Sequence, residues 1–341
     1  MRVAHVMAGA AKGGAELFFE RLAIAQHRAG DDVLAAIRPD PDRVARLMAA
    51  GLVPAPVGYH HLDPRTRPRL RGLLTRFAPR VAVAWMNRAA AVTPRGDWVL
   101  VGRLGGYYDL RHYRACEHLV GNTRGIARWL VEKGWPERRV HYLPNFADDF
   151  SGAVPADRMA LGVPAGAPLL LGLGRLHRDK AFDVLIRALP RLPNAHAVIA
   201  GEGPERAALL RLASAEGVAG RVHLIGWRTD VAALLAACDV FVCSSRLEPL
   251  GNMVIEAWSA SRPVVAADSY GPAELLTDGR DGLLVPMEDA AALAAALARV
   301  LDDPSLAAAL AAAGRARFAS EFAAAPVLAR WRDFLGNVEK I

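Results

Sequence analysis

The chain has 341 residues, enough for two domains at roughly 100–200 residues each; 53% are hydrophobic and 23% charged, the balance of a folded globular protein. No apolar run approaches the ~18 residues a transmembrane helix needs. The opening apolar stretch is broken by His5 and ended at Lys12-Gly13-Gly14, too early for a signal-peptide core, so a cytoplasmic location is expected. Three cysteines without a CxxC spacing indicate neither a disulfide framework nor a zinc site, and Cys116, Cys238 and Cys243 are expected to be small buried apolar groups.

Taken in chain order, Val3–Met7, Val33–Ile37, Val81–Trp85, Val99–Val101 and His118–Val120 have the pattern of short buried strands. They alternate with helical patterns such as Glu16–Arg28 and Arg124–Lys133, giving a βαβ series. After the first strand comes Gly9-Ala10-Ala11-Lys12-Gly13-Gly14-Ala15-Glu16, which has neither the G-x-G-x-x-G nor the P-loop spacing, yet opens a helix where a ligand can approach backbone N–H groups. Asp40-Pro41-Asp42, the D-x-D of the chain, is expected to be a turn rather than a metal site.

Residues 1–150 hold 23 Lys and Arg against 14 Asp and Glu, so this half carries +9 and the remainder −2 of the overall +7. Such a basic surface suits anionic lipid, acidic glycan or nucleic acid without choosing among them. The stretch Leu62 to Arg80 sets five Arg before Phe77 among Leu70, Leu73 and Leu74. It is either a basic amphipathic helix lying on an anionic membrane or a solvated helix with an apolar packing stripe.

The segment from Ala147 to Pro168 is rich in Asp, Gly, Ala and Pro, and is expected to be a linker with a short helix. A second βαβ series follows, with strands at Leu169–Leu173, Ala197–Ala200, Val222–Ile225, Val240–Cys243, Val264–Ala266 and Leu283–Val285; the Ala-rich stretch Ala290–Ala313 has helical Leu spacing and suggests a packed helical pair. The expected division is residues 1–150, 151–320, and a C-terminal helix in 321–341 returning to the first domain.

In open parallel sheets ligands gather beyond the carboxyl ends of the strands, so the residues after each strand carry the interest. Arg175 and Lys180 follow the first strand of the second series, and a guanidinium fork beside a point charge suits a diphosphate. Gly201-Glu202-Gly203-Pro204 and Gly226-Trp227-Arg228 follow the next two strands and are candidates to line a base pocket, with Asp230 as a helix N-cap. In "SSRLEPLGNMVIEA" Glu248 falls in the loop after a strand, Leu250-Gly251-Asn252 precede a helix whose free amides suit an anion, and Glu256 lies one turn inside; the alternative is two surface acids near a helix start.

In order and spacing, Gly13-Gly14-Ala15-Glu16, Gly174-Arg175-Leu176 with Lys180, Gly201-Glu202-Gly203-Pro204, the E-x7-E from Glu248 to Glu256, Pro263-Val264-Val265 and Gly282-Leu283-Leu284-Val285 resemble the retaining glycosyltransferases of family 4, group 1. The resemblance covers nearly the whole chain. It implies an α/β GT-B fold, two Rossmann-like domains facing across a cleft, with the N-terminal one binding the acceptor and the C-terminal one the nucleotide sugar. It further implies that Arg175 and Lys180 neutralise the donor diphosphate, Glu256 binds the ribose, Glu248 faces the sugar, Leu250, Gly251 and Asn252 cradle the distal phosphate, and Gly13 and Gly14 close over the donor. Neither a cofactor nor a metal is implied.

Many family members carry a His after a strand of the first domain, where this chain has Arg103-Leu104-Gly105-Gly106, so that role does not transfer. Asn87, Arg88, Arg103, Tyr107, Tyr108 and Asp109 are the candidates for acceptor or donor-sugar contacts, with His112 a surface alternative. The expected partners are a nucleotide sugar and a saccharide or lipid-linked acceptor, with peripheral contact to anionic membrane and no nucleic acid. A nucleotide-sugar epimerase on the same frame would need acid and base groups at the sugar carbon, and no paired acid and His supports it. A polyanion-binding protein would leave the phosphate loops of the second half unexplained.

Overall fold

The computed structural model describes residues 1–10, 13–59 and 64–340. Ala11 and Lys12 of the glycine-rich stretch and Leu62 at the head of the basic stretch lie outside them. The chain divides into two units, Met1–Phe146 with Ala324–Ile341, and Ala147–Ala323, so the boundaries fall a few residues from the expected 150 and 320.

The first unit is a seven-stranded parallel sheet: β1 (Arg2–Met7), β2 (Asp32–Ile37), β3 (Ala55–Pro56), β4 (Val81–Trp85), β5 (Val99–Leu104), β6 (His118–Gly121) and β7 (Val140–Tyr142), in the order 3-2-1-4-5-6-7. β1 pairs with β2 through Val3 and Val33 and with β4 through Val3 and Val81, so the order reverses at the gap between β1 and β4. The near-continuous apolar runs are what a sheet covered on both faces demands. One face packs Phe18, Phe19 and Leu22 of the helix Gly14–Arg28 with Val327, Trp331 and Leu335 of the helix Ala324–Asn337, and all of these are buried. Arg80 fixes the end of that last helix by donating to the carbonyls of Leu335, Gly336 and Val338 at 3.2, 2.7 and 3.3 Å.

The second unit has six parallel strands, β8 (Leu169–Leu173), β9 (His196–Ala200), β10 (Val222–Leu224), β11 (Val240–Cys243), β12 (Val264–Ala267) and β13 (Leu283–Val285), in the order 10-9-8-11-12-13. Its reversal lies between β8 and β11. The Ala-rich stretch forms the expected pair of helices, Ala290–Asp302 and Pro304–Arg317, each started by an Asp whose carboxylate accepts backbone N–H groups.

Several expectations need correction. Residues 147–168 contain turns and not the expected short helix, and bury Ala147, Leu161 and Val163 in the second unit's core. Asp40 is the N-cap of the helix Pro41–Ala49, its carboxylate accepting from the Arg43 N–H, rather than part of a turn. In the helix Thr66–Phe77, Leu70 and Leu74 are buried in the first unit while Arg67, Arg69, Arg71 and Arg76 are exposed, so the apolar stripe is spent on packing and only the basic face is open. All three cysteines are buried and free. No helix among the described residues is long and apolar enough to cross a membrane.

Candidate functional site

In the second unit, Arg175, Lys180 and Glu248 meet at the switch point. Arg175 follows β8, and the chain then makes a 3₁₀ turn at Arg178–Lys180, with Ala181 left-handed at φ 51°, before the helix Phe182–Ala188. The loop after β11 is stitched to this turn: the N–H groups of Arg246 and Leu247 donate to the Asp179 carbonyl at 2.8 and 3.2 Å, and Ser244 Oγ donates to the Lys180 carbonyl at 3.0 Å. These bonds bring the Lys180 ammonium onto the Glu248 carboxylate as a close ion pair.

Burial pulls the Lys180 ammonium toward its neutral form, but the Glu248 charge and hydrogen bond outweigh it and hold the pKa above its ordinary value. Burial, reinforced by Glu248, raises the pKa of the Cys243 thiol and keeps it protonated. Arg175 is exposed, and its guanidinium has no hydrogen-bond or ion-pair partner among the described residues. One cation is therefore held by an acid and a second stands open beside it.

The neighbouring loops are fixed by backbone contacts. Gly201 N–H donates to the Gly226 carbonyl at 2.7 Å, and Leu176 N–H to the Glu202 carbonyl at 2.9 Å. At Gly201 a β-carbon would stand 1.8 Å from the Gly174 carbonyl oxygen, which only glycine avoids, and at Gly203 one would stand 2.2 Å from the Leu176 carbonyl oxygen. Trp227 is 56% exposed beside these loops. Arg228 instead forks onto Asp230 at 2.8 and 2.6 Å; that carboxylate makes no cap bond to the helix Val231–Ala237, so its expected capping role fails because the arginine has taken it.

Leu250 is buried and Gly251 is left-handed at φ 87°, which turns the chain into the helix Asn252–Ser259 and leaves first-turn amides facing its start. Gly271 N–H donates to the Glu248 carbonyl at 2.7 Å and braces the loop from β12's side. Glu256 is only 3% exposed, so it is no surface acid near a helix start.

Sequence reasoning missed Arg246. Its guanidinium donates to both Asp183 oxygens at 2.8 and 2.7 Å, to the Arg178 carbonyl at 2.7 Å, and to Glu288 just past β13. The carboxylates raise its pKa, so it is a permanent cationic clamp on the turn that presents Lys180. The available signal was only a cation three residues past the end of β11, since its partners Asp183 and Glu288 lie far away in sequence.

In the first unit, Gly13 precedes the helix Gly14–Arg28 in extended backbone, and the Glu16 carboxylate folds back to accept the Ala10 N–H at 2.9 Å. A β-carbon at Gly13 would meet that carboxylate at 2.2 Å, so a larger residue there would push the Glu16 side chain aside. Arg43 is wholly buried, pairs with Glu20 at 3.1 Å and donates to the Ala10 carbonyl at 2.6 Å, anchoring the same loop. Arg88, after β4, donates to the Ala8 carbonyl at 3.2 Å, so it lies at this unit's own switch point beside Asn87, whose Oδ1 is buried and unpartnered.

Arg103 is fully buried under Gly105, while Tyr107 is exposed and edge-on to Trp129 with centroids 5.4 Å apart. Tyr108 is partly buried, and burial raises its pKa. Asp109 caps the 3₁₀ turn Leu110–Tyr113 and pairs with Arg111 at 2.8 Å. No group of His, Cys, Asp and Glu among the described residues is arranged to hold a metal ion.

Residues 154–317 match the family described as glycosyl transferases group 1. The chain is 36% identical over 330 residues to the lipopolysaccharide core biosynthesis glycosyltransferase LpsE of Rhizobium meliloti, covering 94% of this chain and 95% of that protein. It is 34% identical over 331 residues to LpsD of the same organism, covering 94% of each. Among solved structures, HepE of Anabaena, crystallised with UDP and glucose, superposes with a TM-score of 0.84 at 21% identity over 99% of this chain and all of that one. The likeness spans both units and identifies the GT-B fold.

Proposed function

Because the chain belongs to the glycosyl transferases group 1 family, and is a glycosyltransferase on that ground, we propose that it moves a sugar from a nucleoside-diphosphate sugar to a saccharide or lipid-linked acceptor, with retention, in the synthesis of a lipopolysaccharide-type surface glycan. The observation that carries the donor assignment is the convergence of Arg175, Lys180 and Glu248 on the switch point of the second unit. The names of LpsE and LpsD support the glycan class, and the UDP and glucose held by HepE support the donor class.

In the proposed reaction the bond from the anomeric carbon to the diphosphate breaks, the acceptor hydroxyl enters on the same face, and its proton passes to the departing phosphate oxygen. Arg175, Lys180 and the amides at Gly251 and Asn252 meet the charge that develops there; such preorganised charge is usually the largest catalytic term, and here it supplies the role a metal ion would otherwise take. Arrival of the diphosphate gives Lys180 a second anionic partner and frees Glu248 to address the sugar. Glu256 holds the ribose hydroxyls. The exposed arginines of Thr66–Phe77 favour work at an anionic inner membrane face.

A thermal-shift panel of UDP-, GDP- and ADP-sugars tests this, with stabilisation by one nucleotide class expected. Glu248→Ala should abolish transfer, and Glu256→Ala should weaken donor binding by about 10–100-fold, the worth of a charged hydrogen bond. No response to any donor, or full activity in both variants, would overturn the assignment.

A further inference from the structure

Arg103 is the fifth residue of β5 and so stands at the carboxyl edge of the first unit's sheet, where open parallel sheets collect ligands. Its side chain is completely buried. The guanidinium lies 4.9 Å from the Trp85 ring centre and 5.3 Å from that of Phe18, and Nη2 donates to Asn145 Oδ1. Nε and Nη1 have no partner, and no carboxylate forms an ion pair with the group among the described residues.

Burial lowers the pKa to about 10, which leaves the guanidinium charged at neutral pH. Glu16 is within electrostatic reach, but its carboxylate is bound to the loop at Ala10. A buried charge with two open donors costs several kcal/mol unless something pairs with it. Two ring faces and one amide oxygen do not supply that pairing.

The open donors face Gly105. A β-carbon there would sit 2.9 Å from Arg103 Nη1 and 3.9 Å from Asn122 Nδ2, so the partly exposed Gly105 is the thin cover over both donors. The Asn122 side chain is itself buried, and Nδ2 is the donor it turns toward Gly105. Arg175 and Lys180 already match the two charges of a donor diphosphate, so an anion at Arg103 would be a further one.

We propose that Arg103 and Asn122 form a subsite for an oxyanion substituent, phosphate or carboxylate, on the acceptor saccharide, so that the enzyme selects an acidic acceptor. This rests on the reading of the first unit as the acceptor side of a glycosyltransferase. A planar fork beside an amide matches two oxygens of either group. The anion enters past Gly105 as the loop through Tyr107 and Tyr108 shifts, and it supplies the counter-charge that the buried guanidinium lacks.

The test uses the full chain carrying Arg175→Ala and Lys180→Ala, which silences the diphosphate site. Calorimetry then compares mannose 6-phosphate, glucuronate and inorganic phosphate with uncharged methyl mannoside. At least one anionic probe should bind about 10–100-fold more tightly than the neutral sugar, and the phosphate and carboxylate arms identify which anion is preferred. Adding Arg103→Lys or Gly105→Ala, both milder than removing the charge from the core, should erase the difference. Equal affinity for charged and neutral probes, or a preference that survives both substitutions, overturns the proposal. Failure of the glycosyltransferase reading appears separately, as a wild-type chain that ignores the nucleotide-sugar panel.

Discussion

His5 is a polar residue in the middle of β1, an interior strand of the first unit, with no exposed surface. Trp85 Nε1–H donates to its Nδ1 at 3.1 Å, so Nε2 carries the ring proton and donates to Gln26 Oε1 at 2.6 Å. Both nitrogens are occupied only in the neutral ring, and burial lowers the pKa to about 4. The unfolded chain therefore takes up the proton first, and stability contributed by His5 is lost as pH falls from about 6.5 toward 4. That loss is about 2 kcal/mol at pH 5, at about 1.4 kcal/mol per pH unit. Urea midpoints of wild type and His5→Gln, compared at pH 7 and pH 5, check this. The wild type should lose more over that interval, although burial lowers the pKa of His141 in both proteins equally. Identical pH dependence in the two would remove His5 from the account.

Between elements, the loops after β8 and β11 are held by the Arg246 clamp, whose carboxylate partners lie on the helix Phe182–Ala188 and just past β13. Arg246→Met should leave the core intact yet loosen the turn that presents Lys180. Donor affinity is expected to fall about 10-fold with a small change in melting temperature, and Arg246→Lys, which keeps charge but not the fork, should recover part of it. A donor affinity unchanged in Arg246→Met would make the clamp irrelevant to the site.

This clamp also marks where sequence reasoning stops. The positions of Arg175, Lys180 and Glu248 were legible because each follows a strand whose apolar run is plain, and the pairing of β8 with β11 then brings their loops together. Arg246 was not, since its meaning depends on Asp183 and Glu288, which no local pattern links to it. β3 and β7, of two and three residues, are too short to show a period of two. Arg103 was named as a contact residue, but its burial was hidden because β5 runs three residues past the apolar stretch that announced it.

Across the whole molecule, the first unit is built from two separated pieces of chain. Val327, Trp331, Phe334 and Leu335 fill one face of its sheet, and Trp331 is completely buried. Trp331→Ala should cost about 3–5 kcal/mol and act on that unit alone. Amide hydrogen exchange should therefore speed up in β1 and β4 and stay unchanged in β8 and β11. Faster exchange in both sheets would show that the two units share one cooperative unfolding step.

The same helix has a consequence for synthesis on the ribosome. The chain from Ala147 to Ala323 is continuous, so the second unit has all its residues before Ala324 emerges. The first 146 residues, although made earlier, wait with part of one face of their sheet uncovered until the helix Ala324–Asn337 arrives. The part translated first is then the part completed last, and a chain truncated after Ala323 and released should expose apolar surface to chaperones from its oldest segment rather than its newest.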